Sequence, residues 1–230
     1  MYETFLLWSE TQEYKERLKN TKSIIKSYIN RYKSYVAFSG GKDSTVMLHL
    51  VLQENPDTLV IHWDYGKYYI PRDILIEIIS IARKCGAKNM RVLSSHQYNI
   101  MKREAMGVLG RCFIGVETPK LVKEGYKACF LGLRAEESSK RKSRLTSHSE
   151  YDKRGIYNVF PLKDWTWKDV WAYIVSNNLP YLSIYDKYNK LLGYDKARFV
   201  TFFDPEFDKF GSSNVDGVLM WKFKHIGGDV

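Results

Sequence analysis

The stretch AFSGGKDSTVMLHLV, residues 37–51, decides how the chain is read. A short apolar run, Tyr35 to Phe38, ends in Ser39 and two glycines. From Asp43 to Glu54 the pattern turns helical, with Val46, Met47, Leu50 and Val51 on one side. Gly40 and Gly41 let the backbone turn sharply and expose its N–H groups. The helix that follows points its positive dipole end at the same spot. Lys42 adds a full charge, and Ser39 and Ser44 add hydroxyls. Such a turn suits a phosphate. Asp43 repels an anion unless a divalent cation bridges them, which makes Mg²⁺, held by Asp43 through the phosphate, the expected companion. Neither GxxxxGK[ST] nor GxGxxG is present.

Outward from this turn the same alternation repeats. Thr58–Trp63, Met90–Leu93, Ala128–Leu133 and Ile156–Phe160 read as further buried strands. Helices are predicted over residues 10–33, Asp73–Lys84, 97–124 with glycine interruptions, and Thr166–Asn178, where Thr166 and Asp169 have capping-box spacing. Apolar strands alternating with helices predict an α/β fold: a mostly parallel five-stranded sheet with helices on both faces. The predicted organisation is an N-terminal helix over 1–34, a nucleotide-binding α/β domain over 35–184 and a C-terminal extension over 185–230. In that extension, residues 204–217 read as turns, and Gly217–Phe223 as a segment docking on its own core or on a homodimer mate.

Composition sets the outer bounds. The 230 residues are 44% hydrophobic and 15% aromatic, enough for a full core. No apolar run is long enough to cross a bilayer, and the N-terminus has no basic leader, so the cytoplasm is expected. Cys85, Cys112 and Cys129 have no CxxC spacing and read as buried free thiols, with no disulfide framework or zinc site. The net charge of +10 attracts polyanions, and part of it sits in Arg134–Arg144.

SGGKDS resembles the PP-loop of the ATP pyrophosphatase superfamily, the adenine nucleotide alpha hydrolases. FLGLRAEESSKR, residues 130–141, resembles the fourth-strand motif of the phosphoadenylyl-sulfate (PAPS) reductase family. Residues 159–187 resemble a segment shared by that family and the sulfate adenylyltransferase small subunit. The resemblance implies a Rossmann-like, HUP-type fold. It also implies ATP or a related adenine nucleotide with phosphates on Ser39, Gly40, Gly41, Lys42, Asp43 and Ser44. Lys42, Asp43 and Arg134 would carry the catalysis. Gly132 would let the backbone approach the nucleotide, and Arg134 would clamp a phosphate. His62, Trp63 and Asp64 would lie against the base, though Trp63 fits a core position equally well. Lys140, Arg141 and Arg144 would close over the substrate.

The family's reductases carry a C-terminal catalytic cysteine, and no cysteine follows Cys129 here. The iron–sulfur cysteine set is missing too, so no cluster is expected. Three functions compete: adenylation of an oxyanion acceptor in sulfur metabolism or nucleic-acid thiolation, a reductase using another cysteine, and a non-catalytic nucleotide-binding module. Nucleic acid and a sulfur-donor protein are the partners that the first function implies.

Overall fold

The computed structural model describes residues 1–66, 70–94, 113–197 and 199. Six strands form one sheet in the order β3-β2-β1-β4-β6-β5. They are β1 (Ser34–Ala37), β2 (Leu59–Asp64), β3 (Met90–Ser94), β4 (Ala128–Leu131), β5 (Ser149–Asp152) and β6 (Ile156–Val159). Five run parallel, and β5 joins β6 antiparallel at the edge. The chain winds outward from β1 to β3 and then crosses to β4 on the other side of β1. The strand order therefore reverses between β1 and β4, where open α/β sheets bind their ligands.

The sixth strand corrects the expected count of five. Its sequence, SEYD, has no apolar run, because an edge strand with exposed side chains needs none. A three-residue loop, Lys153–Gly155, closes the β5–β6 hairpin, with Gly155 at φ +87° supplying the left-handed turn.

Helices α1 (Tyr2–Ser9), α2 (Gln12–Arg31), α3 (Lys42–Glu54), α4 (Arg72–Lys84), α5 (Thr118–Lys123), α6 (Ser139–Arg144), α7 (Trp167–Ser176) and α8 (Ile184–Leu192) complete the described chain. Helix α1 stands apart from the single helix expected over 10–33. Glu10 ends it, and Thr11 caps the start of α2 by accepting from the N–H of Tyr14. Helix α7 starts as its sequence predicts, with Thr166 and Asp169 in a reciprocal capping box.

One continuous core packs Val36, Val46, Leu50, Phe130 and Val159 with Phe5 and Ile25 of the N-terminal helices and with Tyr185, Ala197 and Phe199. A smaller cluster on the opposite face joins Tyr35, Leu59, Ile61, Leu121, Tyr126, Cys129 and Ile156. Cys112 and the readings for residues 97–112, 204–217 and 217–223 lie outside the described residues. Among the described residues no helix is long and apolar enough to cross a membrane.

Candidate functional site

The turn between β1 and α3 is built as the sequence implies. Gly40 sits at φ +89°, and a Cβ there would lie 2.5 Å from the Ile78 side chain. Gly41 is the N-cap of α3, and Ser39 Oγ lies 3.0 Å from Ser44 Oγ. Ser44 Oγ donates to the Gly41 carbonyl. Thr45 N–H is the first to close an intrahelical bond, again to Gly41. The N–H groups of Lys42, Asp43 and Ser44 precede it and have no partner within the helix.

The charged side chains of the turn do not project into open space. Lys42 is 1% exposed and Arg134 is 4% exposed. The Lys42 ammonium lies 3.3 Å from the Asp43 carboxylate and donates to the Ala197 carbonyl at 2.9 Å. Arg134 Nε donates to Asp43 Oδ1, and its guanidinium also donates to Glu136 Oε2 at 2.7 Å. Burial alone would push the Asp43 carboxyl up. The charges and hydrogen bonds of Arg134 and Lys42 outweigh it and hold the group well below the usual carboxylate range. Burial likewise opposes the charge on Arg134, and Asp43 and Glu136 more than restore it.

The structure thus brings Lys42, Asp43 and Arg134 together as a buried ion cluster. The charge on Asp43, expected to require a divalent cation, is balanced by two side-chain cations. No group of three His, Cys, Asp or Glu side chains able to hold a metal occurs among the described residues. Asp43, the carboxylate expected to hold Mg²⁺ through a phosphate, is engaged by Lys42 and Arg134.

Beside the turn lies a cleft of ≈ 230 Å³, lined by Phe38, Ser39 and Ser44 from the turn side, Trp63 and Tyr65 at and just past the end of β2, and Leu131, Gly132 and Leu133 at and just past the end of β4. Its walls are mainly apolar and aromatic. Trp63 packs against Phe113 with ring centroids 5.3 Å apart, and both face the cleft. The cleft lies at the reversal point of the sheet, next to the start of α3. Gly132 is required by the packing there. A Cβ on it would meet the Asp43 carbonyl and Ser44 Cα at 2.9 Å, all rigid backbone.

Other expected residues have different placements. His62 is buried, and its Nδ1 lies 2.9 Å from the Phe38 carbonyl. Burial holds its pKa below the ordinary histidine value. Asp64 pairs bidentately with Arg72 at 2.8 and 2.9 Å and accepts from the Gly66 N–H. Neither residue lines the cleft. Arg141 pairs with Glu137, and Arg144 is exposed at the end of α6. The Lys140 side chain lies outside the described residues. Burial pushes the thiols of Cys85 and Cys129 up to about 11 and about 12, so neither presents a thiolate near neutral pH.

Sequence reasoning missed Tyr185. Its hydroxyl accepts from the Lys42 N–H at 3.1 Å and from the Phe199 N–H at 3.0 Å. One tyrosine therefore ties the glycine turn to the chain beyond α8. Nothing in its spacing from residue 42 signals this. It also missed Phe38 and Leu133, which a search of the residues just past each strand end would have found.

Residues 33–228 match the phosphoadenosine phosphosulfate reductase domain family. An adenosine 5'-phosphosulfate reductase of Bacillus cereus (strain Q1) is 26% identical over 205 residues, covering 84% of this chain and 87% of that protein. A phosphoadenylyl-sulfate reductase from Candida auris, solved as a phosphate complex, has a TM-score of 0.55 at 17% identity, over 77% of this chain and 92% of that one. An FMN adenylyltransferase from Candida glabrata, solved with ATP, also has a TM-score of 0.55, at 18% identity, over 77% of this chain and 60% of that one. At such identities the two structures show a shared fold.

Proposed function

The chain belongs to the phosphoadenosine phosphosulfate reductase domain family, and from that premise we propose that it binds ATP or a related adenine nucleotide and transfers the adenylyl group to an oxyanion acceptor. The base occupies the cleft between Phe38, Trp63 and Leu133, and the phosphates lie over the turn from Ser39 to Ser44. The observation that carries this reading is the placement of an apolar, aromatic-walled cleft and a glycine turn at one mouth, where the sheet order reverses.

The acceptor oxygen attacks the α-phosphorus. The bond to the bridging oxygen of the β-phosphate breaks, and pyrophosphate departs with the electron pair. An acceptor that is already an anion needs no general base. The chain supplies positioning and donors: the N–H groups of Asp43 and Ser44 at the start of α3 and the hydroxyls of Ser39 and Ser44. Lys42, Asp43 and Arg134 tie that turn to the strand end beyond β4. The buried Cys85 and Cys129 offer no ready nucleophile for a reduction.

Incubation with α- and γ-labelled ATP and Mg²⁺ across sulfate, phosphate and RNA acceptors tests the reading. AMP or an adenylylated acceptor, with pyrophosphate, is expected. ADP and phosphate as the dominant products would overturn it.

A further inference from the structure

A second surface lies at the other end of the sheet, where the strands begin. Four tyrosines meet there. Tyr28 and Tyr32 sit one turn apart near the end of α2, with ring centroids 6.0 Å apart. Tyr157 of β6 packs on both, at 5.8 and 5.1 Å, and Tyr151 of β5 follows at 4.8 Å. Tyr151 is 62% exposed, and the other three are half-buried. A corner serving only the core would be filled by leucine or phenylalanine. This one presents aromatic faces with polar edges to solvent.

The surrounding charge is mainly positive. No acidic residue occurs between Glu16 and Asp43, a span that holds Arg17, Lys19, Lys22, Lys26, Arg31 and Lys33. Arg31 lies between the two α2 tyrosines. Lys127 precedes Ala128, the register partner of Tyr157, and Lys153 and Arg154 form the hairpin loop between Tyr151 and Tyr157. The acidic groups at this end are Glu54, Asp57, Glu124, Glu150 and Asp152, of which Glu124 pairs with Arg91 and Asp152 with Arg154. Arg31, Lys127 and Lys153 are exposed, and none of them makes an ion pair with a described residue.

Tyr32 also forms one wall of a polar pocket of ≈ 420 Å³. Asn30, Asn55 and Asn89 ring it, and Tyr126 lines it with the Lys33 ammonium 4.3 Å above its ring. Thr58 lines the same pocket, and its hydroxyl is buried with no hydrogen-bond partner among the described residues. An unpartnered buried hydroxyl is costly unless a water or a ligand completes it. Amides, a hydroxyl and an aromatic face are the groups that read a ribose hydroxyl and a base edge.

We propose that this tyrosine-lined basic corner is a docking surface for single-stranded RNA, with bases stacked on the tyrosines and one nucleoside seated in the pocket beside Thr58. The surface lies at the opposite end of the sheet from the glycine turn and holds a polymer independently of nucleotide turnover. Stacking on exposed aromatics among scattered cations is how single strands are bound without double-helical geometry.

The test is fluorescence anisotropy of a labelled twelve-residue oligouridylate with the full chain, at salt concentrations from 50 to 200 mM. Binding that weakens with salt is expected. Tyr151→Ala should weaken it about tenfold, as loss of one stacked base does. Lys127→Ala with Lys153→Ala should flatten the salt dependence by about 1.4 units of slope. Thr58→Val should reduce the preference over the deoxy oligomer of matching length. All three variants should keep the far-UV circular dichroism of the parent and its ATP product pattern without RNA, so failure here is separable from failure of the nucleotide reading. No binding at 50 mM salt, equal binding of the deoxy oligomer, or affinity indifferent to Tyr151→Ala and to the lysine pair would each overturn the proposal.

Discussion

Two groups of cations flank the mouth of the glycine turn, and they are built in opposite ways. Lys42 and Arg134 are buried against Asp43, each bonded to a protein acceptor. Arg144, at the end of α6, is exposed, and Arg141, one turn earlier, is half-buried and pairs with Glu137. Sequence reading gave all four a substrate-facing role. The buried pair cannot respond to a substrate without breaking an ion cluster, because isolated charges are expensive to leave in the interior. Exposed Arg144 costs the fold little to move or lose. The difference separates charges that the folded turn depends on from a charge that it does not.

The largest effect follows from breaking the buried group. Asp43→Ala leaves Lys42 and Arg134 without their shared partner. Unfolding free energy should fall by about 3–5 kcal/mol in urea denaturation, as for other broken buried pairs. A loss within about 0.5 kcal/mol would show that the cluster is not a unit.

Acid sharpens the same contrast. The folded-state pKa of Asp43 is held below its unfolded value, so its contribution to stability is fully present above that unfolded value. It is lost as pH falls below about 4 toward the folded-state value. Stability of the parent chain measured from pH 6 downward should therefore drop more steeply than that of Asp43→Asn. Parallel curves would remove the ion cluster as the cause.

Arg144 gives the smallest structural effect. Arg144→Ala should change unfolding free energy by no more than about 0.5 kcal/mol. Any effect should appear in the apparent affinity for an anionic acceptor, seen as a raised KM with kcat retained. A matching fall in stability would place Arg144 in the fold instead.

The architecture was readable where burial writes itself into composition. Strands β1, β2, β4 and β6 are apolar runs, and Thr166 with Asp169 announces the start of α7. Strand β5 was not readable, since SEYD becomes a strand only by pairing with β6. Helix α1 was missed because its role lies in distant contacts, with Phe5 packed on Trp167, Trp171 and Tyr194. The glycine turn was visible as a pattern. The fate of its charges was not, because Asp43 meets Arg134 across 91 residues of chain. The resemblance alone put His62 and Asp64, at the end of β2, against the base, and it carried no sign that His62 meets the Phe38 carbonyl or that Asp64 pairs with Arg72.

Gly41 offers the most direct measurement. Gly40 and Gly132 are demanded by the folded chain itself, since a Cβ on either would collide with Ile78 or with the backbone of Asp43 and Ser44. At Gly41 a Cβ would meet nothing closer than 3.5 Å, and its φ of −67° is open to any residue. The fold has no need of a glycine there, whereas a phosphate lying on the turn does. Thermal unfolding of the parent and of Gly41→Ala, with and without saturating ATP, decides the matter. The account predicts equal stability without nucleotide, a gain of about 2.7 kcal/mol for the parent at a hundredfold excess over Kd, and no gain for Gly41→Ala. Equal stabilisation of both proteins by ATP, or of neither, would contradict it.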